Sequence, residues 1–293
     1  MNGVKIGRQY VSPWWMLGGL AIVGTAVAVH LDAWADIVGI ALRDEEASHI
    51  LLVPIVALWL VWVRRGRLRQ CRFTPSVLGP LIMAAGWLIS WFGLGSNNIQ
   101  SFWHGGAVLV AIGALVTVAG GHVLLKFFPA FAVLVFLVPV PNMARQEIAL
   151  PLQTATASVT AAVSDLIGIE VERNANVLTC NGVPVAIAEA CNGMRMVFAL
   201  VLVSYAFAFG TPLRHYARVL ILAGSPLSAI ACNVVRLVPT VWFYGYKPED
   251  FAEKFHDISG WLMLPIAFLV LMGLIRLLRW ALIPVTQYTL AYD

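Results

Sequence analysis

A chain of 293 residues with 60% hydrophobic and 12% charged residues differs strongly from soluble domains, which average roughly 45–50% apolar and about 25% charged residues. Together with a mean hydropathy of +0.83, this composition predicts an integral membrane protein and leaves little length for a water-soluble domain. The formal net charge of +4 comes from short basic clusters beside apolar runs, which favours membrane anchoring over nucleic-acid binding.

Apolar runs along the chain predict about eight transmembrane helices, because a helical crossing needs about 20 apolar residues. The predicted spans lie at about 13–30, 48–63, 76–95, 105–121, 124–141, 194–211, 218–242 and 258–275. We therefore expect an all-α polytopic membrane protein that forms one integral membrane domain over residues 1–293. Most basic residues fall on one side if both termini are cytoplasmic, which is the orientation that the positive-inside rule favours.

The segment 148–167 is nearly free of charge and is an alternative ninth span. Thr154, Thr160 and Ser164 make it too polar for that, whereas Leu152 and Val159 recur at helical spacing. The pattern predicts an amphipathic helix that lies at the interface or lines a cavity.

Two β-compatible stretches follow within residues 171–190 and are joined at Asn181-Gly182, a dipeptide typical of hairpin turns. We expect a short β-hairpin on the outer face of the membrane. Cys180 then belongs to a strand beside the turn, where a small buried apolar side chain is the ordinary role of a cysteine.

Cys191 stands in a different setting, because Asn192 can cap a helix that begins around Gly193. The amino terminus of a helix stabilises a thiolate, and Arg195 adds a positive charge on the same face, while Glu189 acts in the opposite sense. A structural role for this thiol and a Cys180–Cys191 disulfide are the alternatives that the residues alone leave open.

Two further residues are placed unusually, Arg236 inside an apolar span and His256 at the entrance to the last span. A charged residue in a span normally faces a partner or a wet cavity, although Arg236 is near enough to the outer end to snorkel. Cys191, Arg236 and His256 are all predicted at the outer face, where a nucleophile, an oxyanion-binding cation and a general base could meet. His49 is also predicted near that face and is a weaker alternative base.

An ordered set of motifs gives the chain a family resemblance: "SHILLVPIVALWLVWVRR", "FFPAFAVLVFLVPVPN", "VAIAEACNGMR", "NVVRLVP" and "FHDISGW". Over roughly residues 48–280 the sequence resembles the exosortase/archaeosortase family of membrane-embedded cysteine transpeptidases. The family's cysteine box, its Asn-x-x-Arg and its His-x-x-x-Gly match the chain at Cys191, Arg236 and His256. Two positions depart from the family pattern: Asn192 replaces a common serine, and Ile50 replaces a frequent glycine.

The resemblance implies an enzyme of the bacterial inner membrane whose active site faces the periplasm or exterior. Its substrates would be membrane-tethered proteins with a carboxy-terminal sorting signal: a short motif such as Pro-Glu-Pro, a transmembrane helix and a basic tail. The enzyme would cleave near the motif through a thioester on Cys191 and transfer the protein to an acceptor, with membrane lipid as its surroundings and no nucleic acid as a partner. The expected supporting residues are Glu189, Asn192, Arg195, Asn233 and His49.

Other functions remain open from the sequence. The same thiol would serve a membrane cysteine acyltransferase, and Arg236 with Glu189 would suit a small-solute transporter that binds an anion. The chain contains no HExxH, CxxC, Walker or GxSxG motif, so no metal or cofactor is expected.

Overall fold

A computed structural model describes residues 4–6, 9–71, 73–95, 99–187 and 193–280. The chain divides into two compact units, Met1–Pro141 and Asn142–Asp293. The expectation of one integral membrane domain stays a prediction.

The first unit contains an amino-terminal hairpin and a series of mainly helical segments. Where this unit is described, the antiparallel strands β1 and β2 are followed by a series of α-helices and three 3₁₀ segments. The elements are β1 (Val4–Ile6), β2 (Gln9–Val11), α1 (Pro13–Val29), α2 (Leu31–Arg43), the first 3₁₀ segment (Glu45–Leu52), α3 (Val53–Val63), the second 3₁₀ segment (Arg65–Gln70), α4 (Leu78–Gly95), α5 (Gln100–Ala119), α6 (Gly121–Lys126), α7 (Phe128–Ala132) and the third 3₁₀ segment (Val133–Leu137).

Three parts of this unit differ from the sequence prediction, and the first is the hairpin β1–β2, which was not predicted. The chain bends by 70° at His30 and continues as α2, which was not predicted and which buries Ala33, Ile37 and Ala41 along one face. The predicted span 124–141 is wrong as a single helix, because this region consists of the short helices α6 and α7 and a 3₁₀ segment. Pro129 stands in the first turn of α7, where a proline fits because its missing N–H has no partner there anyway.

Helices α4 and α5 of the first unit pack closely against each other. A Cβ atom added to Gly86 would lie 2.9 Å from the carbonyl oxygen of Gly106, so the two backbones touch where both helices lack a side chain. Small residues permit this close approach between membrane helices, where packing rather than hydrophobic expulsion drives association.

The described residues of the second unit form four long helices and a three-stranded antiparallel sheet. Its elements are α8 (Asn142–Leu166), β3 (Glu172–Asn174), β4 (Val177–Cys180), β5 (Val183–Ala186), α9 (Gly193–Gly210), α10 (His215–Tyr246) and α11 (Glu249–Trp280). The predicted hairpin is β4–β5, whose turn residues Asn181 and Gly182 have φ angles of 50° and 78°, as a two-residue turn of this kind requires. Strand β3 was not predicted.

The helix α8 corresponds to the predicted amphipathic segment and begins six residues earlier, at Asn142. Its hydroxyl-bearing face is the buried one, with Thr160 and Ser164 inaccessible, whereas Leu166 is 86% exposed. A helix that hides hydroxyls and exposes leucine is suited to lipid surroundings, because hydrocarbon favours the apolar face.

The described helices support between three and six membrane spans by length and composition, against the eight predicted from apolar runs. By length and composition, three described helices qualify: Glu46–Val63, Gln100–Ala119 and His215–Tyr246. Three bent pairs raise the count to six if each is one span: Pro13–Val29 with Leu31–Arg43, Phe128–Leu137 with Asn142–Leu166, and Glu249–Gly260 with Pro265–Leu277. The chain is therefore a mainly helical membrane protein, and eight spans are not confirmed.

Candidate functional site

Arg236 is buried on α10, with 6% of its surface exposed. Its Nη2 donates a hydrogen bond to Asn233 Oδ1 over 2.9 Å, and its backbone carbonyl accepts one from Thr240 Oγ1 over 2.7 Å. Its Nε is also buried and has no hydrogen-bond partner among the described residues. A buried donor without a partner costs about 1–3 kcal/mol, more when it is charged, so this guanidinium can still bind an anionic oxygen.

His256 lies in the second turn of α11 and is half-buried. Its Nδ1 is 3.2 Å from Asp257 Oδ1, while its Nε2 is buried and lacks a partner within the described part of the chain. A carboxylate at Nδ1 favours the tautomer with the proton on that nitrogen, which leaves the Nε2 lone pair available as a base. Asp257 was not singled out from the sequence, although its position directly after the histidine was the available signal.

Gly260 brings the two helices together. A Cβ atom added to this glycine would lie 3.2 Å from Arg236 Nη1, so the guanidinium rests against the backbone of α11. His256 precedes Gly260 by four residues and therefore projects from the same face of that helix. Arg236 and His256 thus lie on facing sides of an antiparallel helix pair, about one helical turn apart along the axis.

The start of α9 lies at about the same height along the helix axes as Arg236 and His256. Met196, near the start of α9, packs in one cluster with Cys232 and Met263, whereas Ala208, near its end, packs with Ile221 and Leu271. This pairing makes α9 antiparallel to α10 and parallel to α11. Met196 and Cys232 are therefore at the same height along the helix axes. Gly193 is about one turn before Met196 and Arg236 about one turn after Cys232, so in this antiparallel pair both lie at a similar height.

The predicted nucleophile and two of its expected neighbours belong to the segment before α9. Cys191, Glu189 and Asn192 lie outside the described residues, and so does the side chain of Arg195. The predicted start of the following helix near Gly193 agrees with α9.

Cys180 has the structural role that the sequence favoured. It is a free, fully buried thiol at the end of β4, and a Cβ atom added to Gly245 of α10 would lie 2.8 Å from its Sγ. Next to it, Asn181 Nδ2 donates to the Gly245 carbonyl over 3.0 Å. Burial raises the pKa of the Cys180 thiol, which opposes formation of the reactive thiolate.

His49 belongs to the first unit, where it is buried and its Nδ1 lies 3.0 Å from the Glu46 carbonyl oxygen. Its predicted role as an alternative base stays a prediction. Within the described residues there is also no group of three or more His, Cys, Asp or Glu side chains arranged to hold a metal ion.

One of the comparisons with known proteins agrees with the sequence motifs. No curated protein and no solved structure matches the chain at a significant level. The sequence profile of the transmembrane exosortase family matches residues 34–273, a region that contains Cys191, Arg236, His256 and most helices of both units. The chain therefore belongs to the transmembrane exosortase family.

Proposed function

We propose that the protein is a membrane-embedded cysteine transpeptidase that cleaves the carboxy-terminal sorting signal of exported proteins and transfers them to an acceptor. The proposal depends mainly on one observation: three features of the second unit lie at a similar height along the helix axes. They are the start of α9, the buried guanidinium of Arg236 and the face of α11 that contains His256 and Gly260. Family membership supports the same chemistry, because the matched region contains all three proposed catalytic residues.

Covalent connection limits the distance between the proposed nucleophile and this level. Cys191 precedes Gly193 by two residues, and consecutive Cα atoms are 3.8 Å apart, so their Cα atoms are separated by no more than about 7 Å. A thiol at that distance can share a substrate with Arg236 and His256. Cys180 is a poorer nucleophile, because its thiol is fully buried against Gly245 and a substrate cannot reach it.

In the proposed reaction, His256 Nε2 accepts the thiol proton of Cys191, and the sulfur attacks the scissile carbonyl carbon to form a tetrahedral oxyanion. Arg236 donates hydrogen bonds to that oxyanion. The imidazolium of His256 then protonates the leaving amine as the peptide C–N bond breaks, leaving a thioester. An amine or water attacks the thioester, His256 takes its proton, and the thiol is released.

Asn233 is proposed to hold Arg236 in position. Its side-chain carbonyl fixes one Nη atom, which leaves the remaining N–H groups of the fork for the substrate. Lysine offers one compact ammonium group and cannot bind both Asn233 and an oxyanion in this geometry. Arg236→Lys should therefore lower processing by about 10²–10³-fold, the range for the loss of one oxyanion donor.

The site is proposed to face the periplasm or exterior of the bacterial inner membrane. Arg214 and Arg218 stand at the start of α10, and Arg236 lies near its opposite end. Basic residues favour the cytoplasmic side, so the Arg236 end would be outward, as access to exported substrates requires. Arg195 and Glu189 are proposed to tune the thiol or to orient its partners.

The test is co-expression with a membrane-tethered reporter that carries a short motif, a transmembrane helix and a basic tail. Masses of the reporter and of the Cys191 peptide are compared between wild type, Cys191→Ala and the matched variant Cys180→Ala. We expect the reporter to lose its tail in wild type and Cys180→Ala, and to stay intact in Cys191→Ala. Unchanged processing in Cys191→Ala would end the proposal.

The same experiment distinguishes the alternative functions. An acyl-thioester on Cys191 without any reporter cleavage would indicate an acyltransferase. For a transporter, Cys191→Ala should leave function nearly intact, because no covalent step involves the thiol.

A further inference from the structure

The first unit presents an exposed basic patch just after α3. We define the patch as Arg65, Arg67 and Arg69 of the second 3₁₀ segment together with Lys126 of α6. Arg67 Nη1 donates to the Lys126 carbonyl over 3.4 Å, and Lys126 Nζ donates to Gln70 Oε1 over 3.2 Å. These contacts join two chain segments 56 to 59 residues apart into one surface.

No acidic residue of the first unit lies near this basic patch. The five Asp and Glu residues of the unit all lie between residues 32 and 46, and the sequence then contains none before Glu147. Glu46, the last of them, is separated from the patch by the segment Glu46–Val63, whose 18 residues span about 27 Å as a helix. Acidic and basic groups are also at opposite ends of α5. Asp36 Oδ2 lies 2.9 Å from His104 Nε2 near the start of this helix, and Lys126 follows its other end.

Exposed apolar side chains border the basic patch. Trp62, Leu125 and Phe128 are each more than half exposed. The Arg65 guanidinium carbon lies 4.3 Å from the Trp62 ring centroid, so a cation and an interfacial aromatic residue stand together. Soluble acidic proteins and nucleic acids would satisfy the charges and leave these apolar groups in water, whereas a lipid satisfies both.

We propose that the basic patch is a binding site for anionic phospholipid, with the lipid phosphate held by Arg65, Arg67, Arg69 and Lys126 and the acyl chains against Trp62, Leu125 and Phe128. The site fixes the first unit in the leaflet on that side of the membrane. It is independent of the transpeptidase chemistry.

The test uses the full chain purified in detergent and titrated with dioleoylphosphatidylglycerol or dioleoylphosphatidylcholine, with bound lipid counted by native mass spectrometry. The wild type should prefer phosphatidylglycerol, and higher salt should weaken that preference. Each cation near an anionic lipid surface contributes about fivefold in affinity, so Arg65→Gln/Arg67→Gln/Lys126→Gln should weaken phosphatidylglycerol binding roughly hundredfold. Its phosphatidylcholine binding should not change.

A control with the same loss of charge is Arg43→Gln/Arg173→Gln/Lys254→Gln, whose side chains lie outside the patch and are exposed. This control should keep the wild-type preference. Equal losses in both triple variants, or no preference in the wild type, would overturn the proposal. Glycerol 1-phosphate should not compete, and effective competition by it would show that the site binds free phosphate esters rather than lipid.

Discussion

The contact between Gly260 and Arg236 allows the proposed oxyanion donor to be moved without removing it. In Gly260→Ala, the new Cβ atom would lie 3.2 Å from Arg236 Nη1, against the 3.4–4 Å of ordinary van der Waals contact. The guanidinium must therefore shift by a few tenths of an ångström. The effect on folding has the opposite sign, because alanine is better than glycine in a helix interior by about 1 kcal/mol.

The size of the activity loss follows from the displacement. Loss of a whole oxyanion donor costs about 10²–10³-fold in rate, and a misplacement of about 1 Å costs about 10²-fold. A shift of a few tenths of an ångström should then cost on the order of tenfold, which equals about 1.4 kcal/mol of transition-state stabilisation. Gly260→Ala should accordingly fold at least as well as wild type and cleave the reporter more slowly.

The assay measures the rate of reporter cleavage after induction together with the thermal midpoint of the purified protein in detergent. Gly273→Ala is the matched control on the same helix, since an added Cβ atom there has nothing within 4 Å. It should gain the same helix stability and keep full activity. Wild-type cleavage rates in Gly260→Ala would refute the role assigned to the Arg236 guanidinium.

Three further predictions concern single side chains. Since burial raises the pKa of Cys180, iodoacetamide at neutral pH should label Cys191 and spare Cys180 in the folded protein, and peptide masses should show Cys180 labelled only at alkaline pH or after unfolding. Asp257→Asn should slow cleavage by about tenfold or less, because this carboxylate orients His256 but is 78% exposed; a loss of 10³-fold or no loss at all would contradict that role. Thr160→Val removes a buried hydroxyl without a partner among the described residues, so it should leave unfolding unchanged or raise its free energy by about 1–2 kcal/mol; clear destabilisation would reveal a bound water or ligand.

Local signals in the sequence predicted the β4–β5 hairpin of the sheet. Asn181-Gly182 is a turn because both residues tolerate positive φ, and that property depends on the dipeptide alone. Strand β3 was not predicted because Glu172, Arg173 and Asn174 are all exposed and polar, so the segment lacks the alternation of apolar and polar residues that indicates a strand. Their pairing with β4 is a tertiary contact rather than a property of the segment.

The membrane topology was less predictable. Hydropathy reports how long an apolar run is and contains no information on where it changes direction. The predicted span 13–30 agrees with α1, but its hydropathy did not indicate the 70° bend that follows at His30. The break around Pro129 falls within an apolar run and divides it into shorter elements. The inward hydroxyl face of α8 is a similar case, because its composition suggested an amphipathic helix without deciding which face is buried.

At the candidate site, the importance of Arg236 could be predicted from the sequence, because a charged residue within a membrane span is energetically costly. An arginine in a span needs a partner, and Asn233 and the backbone at Gly260 provide its surroundings. The contact with Gly260 comes from the antiparallel pairing of α10 and α11, and no spacing along one helix encodes it. The catalytic roles of Cys191, Arg236 and His256 stay predictions, which the geometry of the second unit supports.

The most direct test of the account is a distance between the proposed nucleophile and the proposed base. In a background with Cys71, Cys180 and Cys232 replaced by alanine, His256→Cys is compared with Gly273→Cys, which stands about 25 Å farther along the same helix. A disulfide requires Cα atoms within about 7 Å, and a short bifunctional thiol reagent extends that limit moderately. The account predicts a crosslink from Cys191 to residue 256 and none to residue 273, whereas a crosslink only to residue 273 would contradict it.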